Sequence, residues 1–162
     1  MPSILFVCNA NQFRSPLAAA LFTRNLSEQG IADSWSIGSA GIWAVRGLPA
    51  LPQVASAAET FGLDLSSHRS ARVDRHLLSQ YDLILVMQAG QKEALVSEDP
   101  ALEERVYLLS EITERRSYDI PDALGSEQEM RELVAELEAL LRRGTQSICV
   151  MATYLYNTRH RG

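Results

Sequence analysis

Several function classes are excluded by what this chain lacks. Two cysteines, Cys8 and Cys149, in 162 residues are too few for a disulfide scaffold, and no CxxC pair or His-rich cluster sets the spacing of metal ligands. Positive charge is also sparse. A net charge of −5 with the signs mixed along the chain argues against a general nucleic-acid binder, whose domains carry a basic face. The only concentrated basic stretch is the tail "NTRHRG". No apolar run approaches the length of a membrane span, and the opening "MPSILFVCNANQF" has no basic region ahead of its short apolar stretch, as a signal peptide would. Internal repeats, low-complexity tracts and the Walker A pattern GxxxxGK[ST] are absent as well. The expected setting is a reducing cytoplasm with no membrane association, where Cys8 stays a free thiol.

What is there reads as one compact α/β domain, since 46% of the residues are apolar and the length suits a single core. "SILFV" at 3–7 is a short buried strand, followed by a polar loop and a helix with Ser15 as expected N-cap and Pro16 at its first position. Leu17, Leu21 and Phe22 stripe that helix until Gly30 stops it. "SWSIGSAGIW" reads as a second strand running into a glycine turn, and "PQVASAAETFG" as a helix from Pro52 to Gly62. "YDLILVM" at 81–87 is the clearest buried strand, "GQKEALVSE" a short helix and "RVYLLSE" at 105–111 a fourth strand. Ser126 to Glu129 form a capping box ahead of a helix striped by Met130, Leu133, Val134, Leu137, Leu140 and Leu141. The domain is read over 1–144, with 145–162 as a C-terminal extension that could be an edge strand, a partner surface or an ordered tail.

Strand and helix alternate, which implies a four-stranded parallel sheet with helices on both faces and ligands bound at the carboxyl ends of the strands. The loop after the first strand, Cys8 to Ser15, lies at that end. A thiol there faces the N-terminus of the next helix, whose dipole and free N–H groups favour a thiolate and cradle an anion. Arg14 adds a planar fork suited to two oxygens of a phosphate. The bland alternative makes Cys8 a small core residue and Arg14 a surface charge. It leaves the coincidence of strand, Ser15 and Pro16 around them unexplained.

With these residues in place the chain resembles the low-molecular-weight protein-tyrosine phosphatases, in particular their bacterial branch. The C-x5-R-S/T-P signature matches Cys8, Arg14, Ser15 and Pro16, with Asn11 at its internal asparagine. "SAG" at 39–41, "GLDLSSHRSARV" at 62–73, "DLILVM" at 82–87 and "DIPD" at 119–122 follow in family order. The resemblance implies a cytoplasmic protein-tyrosine phosphatase that needs no metal or other cofactor. In it Cys8 forms a cysteinyl-phosphate, Arg14 clamps the phosphoryl group, Ser15 hydrogen-bonds the thiolate and Asn11 holds the loop's shape. Asp122 is implied as the acid and base, with Asp119 as its local rival. Asn9, Ala10, Asn11, Gln12, Phe13 and Ser15 would surround the substrate, with Trp43 and Leu124 at the rim, although Trp43 suits core packing equally well. The implied partner is a phosphorylated protein, with a bacterial tyrosine kinase as one candidate, and the expected state is a monomer or weak dimer.

The chain departs from the family's pattern at several positions. Ala123 follows Asp122 where the family has proline, and Leu124 stands where many members have an aromatic. Phe13 takes the place of a second cysteine, so no protective disulfide can form beside Cys8. Ala10 replaces a common glycine. Gln12 replaces an isoleucine of tyrosine-specific relatives and a threonine of phosphoarginine-specific ones. A protein arginine phosphatase is therefore an alternative reading, as are an arsenate reductase, for which Cys149 is the one available second thiol, and a phosphate-binding module without turnover. His68 reads as a structural hydrogen-bonding residue and Cys149 as a buried thiol.

Overall fold

The computed structural model describes residues 1–122 and 125–161. Ala123 and Leu124, the two altered positions after Asp122, lie outside the described residues. Four parallel strands, β1 (Ser3–Cys8), β2 (Ser36–Gly41), β3 (Leu83–Val86) and β4 (Val106–Leu108), form one sheet in the order β2-β1-β3-β4. Among the described residues six α-helices accompany it: α1 (Arg14–Glu28), α2 (Pro52–Glu59), α3 (Arg75–Ser79), α4 (Ala89–Glu98), α5 (Leu109–Glu114) and α6 (Glu127–Arg159).

β1 is central and all six of its residues are buried, as a strand covered on both faces requires. Its period-two alternation sorts them. Ile4, Phe6 and Cys8 join the core built with α1, α2 and α6, while Leu5 and Val7 join a second core with Leu78, Leu95, Leu102 and Leu108. Cys8 is thus the last residue of the innermost strand, on the α1 side, at the carboxyl edge.

Helix termini follow local chemistry. α1 ends in a Schellman motif, with Gly30 at φ 72° and the N–H groups of Gly30 and Ile31 returning to Ser27 and Leu26. Its start differs from expectation. The helix begins at Arg14 with Phe13 in the N-cap position, because the Ser15 hydroxyl is engaged elsewhere. The fourth strand is likewise shorter than 105–111: it ends at Leu108, and Leu109–Glu114 turn into α5, with Glu111 accepting from the Leu108 N–H. At α6 the Ser126 hydroxyl accepts from the Glu129 N–H at 3.1 Å, the first half of the expected capping box.

The chain beyond residue 144 continues α6. Its buried face runs on from Leu141 through Ile148, Ala152 and Leu155 at helical spacing. Gly144 lets α6 approach α5, since a Cβ there would collide with Thr113. At the far end the Arg159 guanidinium binds the buried Asp82 carboxylate at 2.8 Å and the carbonyls of Ser79 and Tyr81. Asp82 also accepts from the Ser3 N–H and hydroxyl. The last helix is therefore tied to the amino edge of the sheet, opposite Cys8.

Candidate active site

The loop joining β1 to α1 is held in an unusual shape by one residue. Asn11 is fully buried and sits at φ 58°, a left-handed conformation that asparagine tolerates better than most residues. Its side chain donates to Ser15 Oγ (2.7 Å) and Ser39 Oγ (3.0 Å) and accepts from the Ala71 N–H (2.9 Å). Its carbonyl meets His68 Nε2 at 2.7 Å, which gives His68 the structural role expected of it. Gly41 makes room for the turn: a Cβ there would stand 2.5 Å from the Asn9 carbonyl oxygen and 2.9 Å from the Asn11 nitrogen. Among the described residues, the backbone N–H groups of Ala10, Asn11, Gln12 and Phe13 have no acceptor within the chain. Such a run of free donors next to a helix start is an anion nest.

Two side chains define what the nest can do. Cys8 Sγ lies 2.9 Å from Ser15 Oγ, close enough for the hydroxyl to donate to a thiolate. Arg14 is 1% exposed, and a buried guanidinium needs partners to offset lost hydration. Those it has are mostly neutral. Nη1 donates to Gln88 Oε1 at 2.9 Å and to the Ile120 carbonyl at 2.8 Å. Among the described residues its one carboxylate partner is Asp122, whose Oδ2 stands 3.6 Å from Nη2 on a side chain 40% exposed. A buried positive charge with so little negative charge around it is built for an anionic ligand.

Gln88 and Gln91 were not singled out by the sequence reading. Gln91 Oε1 accepts from the N–H groups of Met87 and Gln88, while its amide donates to Gln88 Oε1 (3.2 Å) and Asn9 Oδ1 (3.1 Å). This amide chain links the guanidinium to the opposite end of the loop. A glutamine pair three apart at a helix start carries no signal of its own, and only the fold brings it to Arg14.

The remaining expected residues fall into distinct places. Asp119 accepts from the Ala89 N–H at the start of α4 (2.8 Å), a capping position, so of the two aspartates only Asp122 stands beside Arg14. The Phe13 ring is buried in the core, and what it offers a ligand is backbone rather than ring. Gln12 donates from its amide to the Pro49 carbonyl at 3.0 Å. Trp43 is 71% exposed, which removes the core-packing alternative, and its N–H is fixed to the Asn9 carbonyl at 2.9 Å. Cys149 is half-buried on α6, and burial pushes its thiol up. Among the described residues no cluster of three potential metal ligands occurs, and no helix is long and apolar enough to cross a membrane.

The sequence profile of the family "Low molecular weight phosphotyrosine protein phosphatase" matches residues 3–149. The chain belongs to this family. It is 37% identical, over 90% of its length and 92% of the relative's, to a probable low molecular weight protein-tyrosine-phosphatase, EpsP, of Ralstonia nicotianae. It is 30% identical to a protein-arginine-phosphatase of Geobacillus stearothermophilus, covering 86% of this chain and 91% of that one. Its fold superposes on the tyrosine phosphatase Wzb from Escherichia coli K30 in complex with sulphate with a TM-score of 0.80 and 30% identity, covering 91% and 99% of the two chains. The low-molecular-weight phosphatase fold thus accounts for the four-stranded parallel sheet and for the position of the anion loop at its carboxyl edge.

Proposed function

We propose that this phosphatase hydrolyses phosphotyrosine on proteins through a cysteinyl-phosphate, with Cys8 as nucleophile, Arg14 as phosphoryl clamp and Asp122 as acid and base. The observation that carries the reading is the convergence of three groups from separate elements: a thiol at the end of β1, a buried guanidinium under the anion nest, and a solvent-reached carboxyl 3.6 Å from that guanidinium. An incoming phosphate monoester takes Asp122's place at Arg14, with its equatorial oxygens on the guanidinium and the free N–H groups of Ala10 to Phe13. The thiolate sulfur attacks phosphorus, the bond to the tyrosyl oxygen breaks, and the carboxyl of Asp122 gives its proton to that oxygen. Water then attacks the phosphorus of the cysteinyl-phosphate, its proton passes to the Asp122 carboxylate, the phosphorus–sulfur bond breaks to release inorganic phosphate, and the thiolate is left facing the Ser15 hydroxyl. Ser15 serves by holding the thiolate, Asn11 by fixing the loop, and Trp43 by flanking the substrate ring from the rim.

Hydrolysis of an aryl phosphate with EDTA present tests this. Wild-type turnover, none in Cys8→Ser, and a fall of about 10²- to 10⁴-fold in Asp122→Ala are expected. Phosphate binding without wild-type turnover would overturn it in favour of a binding module. The substrate is a phosphorylated protein in a cytoplasmic setting, with an opposing tyrosine kinase as the natural partner and a monomer or weak dimer as the working state. Phosphoarginine is the second reading, supported by the arginine-phosphatase relative and by the polar Gln12 at the loop. A higher kcat/KM on phosphoarginine than on matched phosphotyrosine peptides would decide for it.

A further inference from the structure

Two surface segments are fastened to the anion loop. Residues 42–51 reach it through Ile42 N–H to the Cys8 carbonyl (3.0 Å), Trp43 N–H to Asn9 (2.9 Å) and Leu51 N–H to Gln12 (3.0 Å). Residues 66–72 reach it through His68 and Ala71, both bonded to Asn11. The segments also bond each other, with Gly47 N–H to the Ser70 carbonyl, Ser70 N–H to the Leu48 carbonyl and Leu48 N–H to Ser70 Oγ. They make one continuous rim on one side of the site.

The composition of that rim is opposite to that of the whole chain. In a protein of net charge −5, residues 42–51 and 66–72 contain Arg46, Arg69 and Arg72 and no aspartate or glutamate. All three arginines are exposed, and between them stand Trp43, Val45 and Leu48, 71%, 65% and 38% exposed. Arg72 and Trp43 share the wall of a 360 Å³ cleft with Ile42 and Leu95. The carboxylates around it are Asp74, 3.5 Å from Arg46, Asp64, which accepts from the Ser66 N–H at 2.9 Å, and Glu98, on the wall of that cleft. Exposed apolar side chains among cations, fixed rigidly beside a nucleophile, form a surface for part of a substrate rather than a solvated loop.

We propose that this rim docks the acidic flank of the phosphorylated protein segment, with Arg46, Arg69 and Arg72 pairing its carboxylates and Val45 and Leu48 covering an apolar side chain next to the phosphorylated residue. This deepens the phosphatase reading and rests on it. A cationic, apolar rim also suits an anionic lipid surface. The chain's overall negative charge opposes that, and the rim's direct attachment to the anion loop favours an occupant that delivers its phosphate to Cys8.

The test compares kcat/KM on three phosphotyrosine peptides of one core sequence with acidic, neutral or basic flanks, and on a small aryl phosphate. At low salt the acidic peptide should lead the basic one by about 10- to 100-fold, an advantage largely lost at about 0.5 M salt. The Arg46→Glu/Arg69→Glu/Arg72→Glu variant should abolish or reverse that order while turnover of the aryl phosphate stays within about twofold. Equal rates on the three peptides, or an order that survives the triple substitution, would overturn the proposal. So would salt-sensitive binding to phosphatidylglycerol vesicles with no flank preference. Should no phosphate ester be turned over, the mechanism fails separately. The same peptides, fluorescently labelled and titrated against the wild-type chain, then decide on docking: tighter binding of the acidic flank supports it and equal binding refutes it.

Discussion

Replacing Gln88 by methionine isolates the amide chain behind Arg14. The two side chains are near in length and shape, so the pocket stays filled, and the backbone N–H of residue 88 keeps its bond to Gln91 Oε1. What is lost is the acceptor for Arg14 Nη1 at 2.9 Å and for the Gln91 amide at 3.2 Å. Arg14 then holds to the Ile120 carbonyl alone by hydrogen bonds, and the carboxylate of Asp122 at 3.6 Å becomes its strongest remaining attraction. A hydrogen bond to a charged group is worth about 1.5–3 kcal/mol, or about 10- to 150-fold in an equilibrium. The guanidinium is presented correctly in that much smaller a fraction of molecules. We expect kcat/KM for an aryl phosphate to fall by that factor and inorganic phosphate to inhibit more weakly in parallel, since both use Arg14.

Gln88→Glu separates orientation from charge. It keeps an acceptor for Arg14 but places a negative charge against it, so Arg14 stays in position while its attraction for a dianion is largely neutralised. Phosphate inhibition should therefore weaken at least as much as in Gln88→Met, although the fold and its thermal midpoint are kept. Steady-state kinetics with product inhibition, beside a thermal melt of each variant, checks this. If Gln88→Met retains wild-type kcat/KM and phosphate affinity, or if its loss of activity only mirrors partial unfolding, Gln88 does not position Arg14 and the reasoning fails.

Other expectations follow from single features. Gly41→Ala should cost about 1–3 kcal/mol of stability and most of the activity, because the added Cβ meets loop backbone at 2.5 Å from the Asn9 oxygen; a melt and an aryl phosphate assay that both match wild type would contradict the structure. Burial would raise the Glu138 carboxyl, but the hydrogen bonds from Arg142 and Arg24 outweigh it and hold it below its ordinary value. A depressed carboxyl stabilises the fold above its unfolded pKa and loses that contribution as pH falls through the folded one, so the gap in melting temperature between wild type and Glu138→Gln should be open near neutrality and close below about pH 4. Peroxide should inactivate the enzyme at a rate that Cys149→Ser changes by less than about twofold, since the Cys149 thiol is pushed up by burial on a helix packed into the core. Marked protection by Cys149, read from activity recovered with dithiothreitol, would show instead that it resolves oxidised Cys8.

What the sequence made legible was local. The apolar runs of β1 and β3, the stripe on α6, and the pairing of Cys8 with Arg14 across a short loop all depend on neighbours within a few residues, where periodicity and spacing carry information. The errors have local causes as well. Ser15 reads as an N-cap because serine before proline suits that place, whereas here its hydroxyl is drawn 2.9 Å from the thiol and the helix starts two residues earlier. Residues 145–162 read as an extension beyond the last helix, whereas α6 runs on to Arg159 and passes against Thr113 at Gly144. At Ser15 tertiary contact overrode a capping preference worth about 1 kcal/mol.

The parts of the site that sequence reasoning missed share a different property: each is a neutral group acting on a charged one across the fold. Gln88, held by Gln91, comes from the start of α4 and the Ile120 carbonyl from the loop before α6, and Gln88 and Ile120 meet at Arg14 only because β3 lies beside β1 in the sheet. Carboxylates in those positions would have been easier to notice as candidate partners, but they would also have neutralised the guanidinium and weakened its hold on a dianionic phosphate. A buried arginine that must remain available to an anion is best held by amides and carbonyls, which orient it without satisfying its charge. The same requirement explains why Asp122, the one carboxylate near it, is exposed and beyond hydrogen-bond distance: it can yield to the incoming phosphate and still be close enough to give its proton to the leaving oxygen.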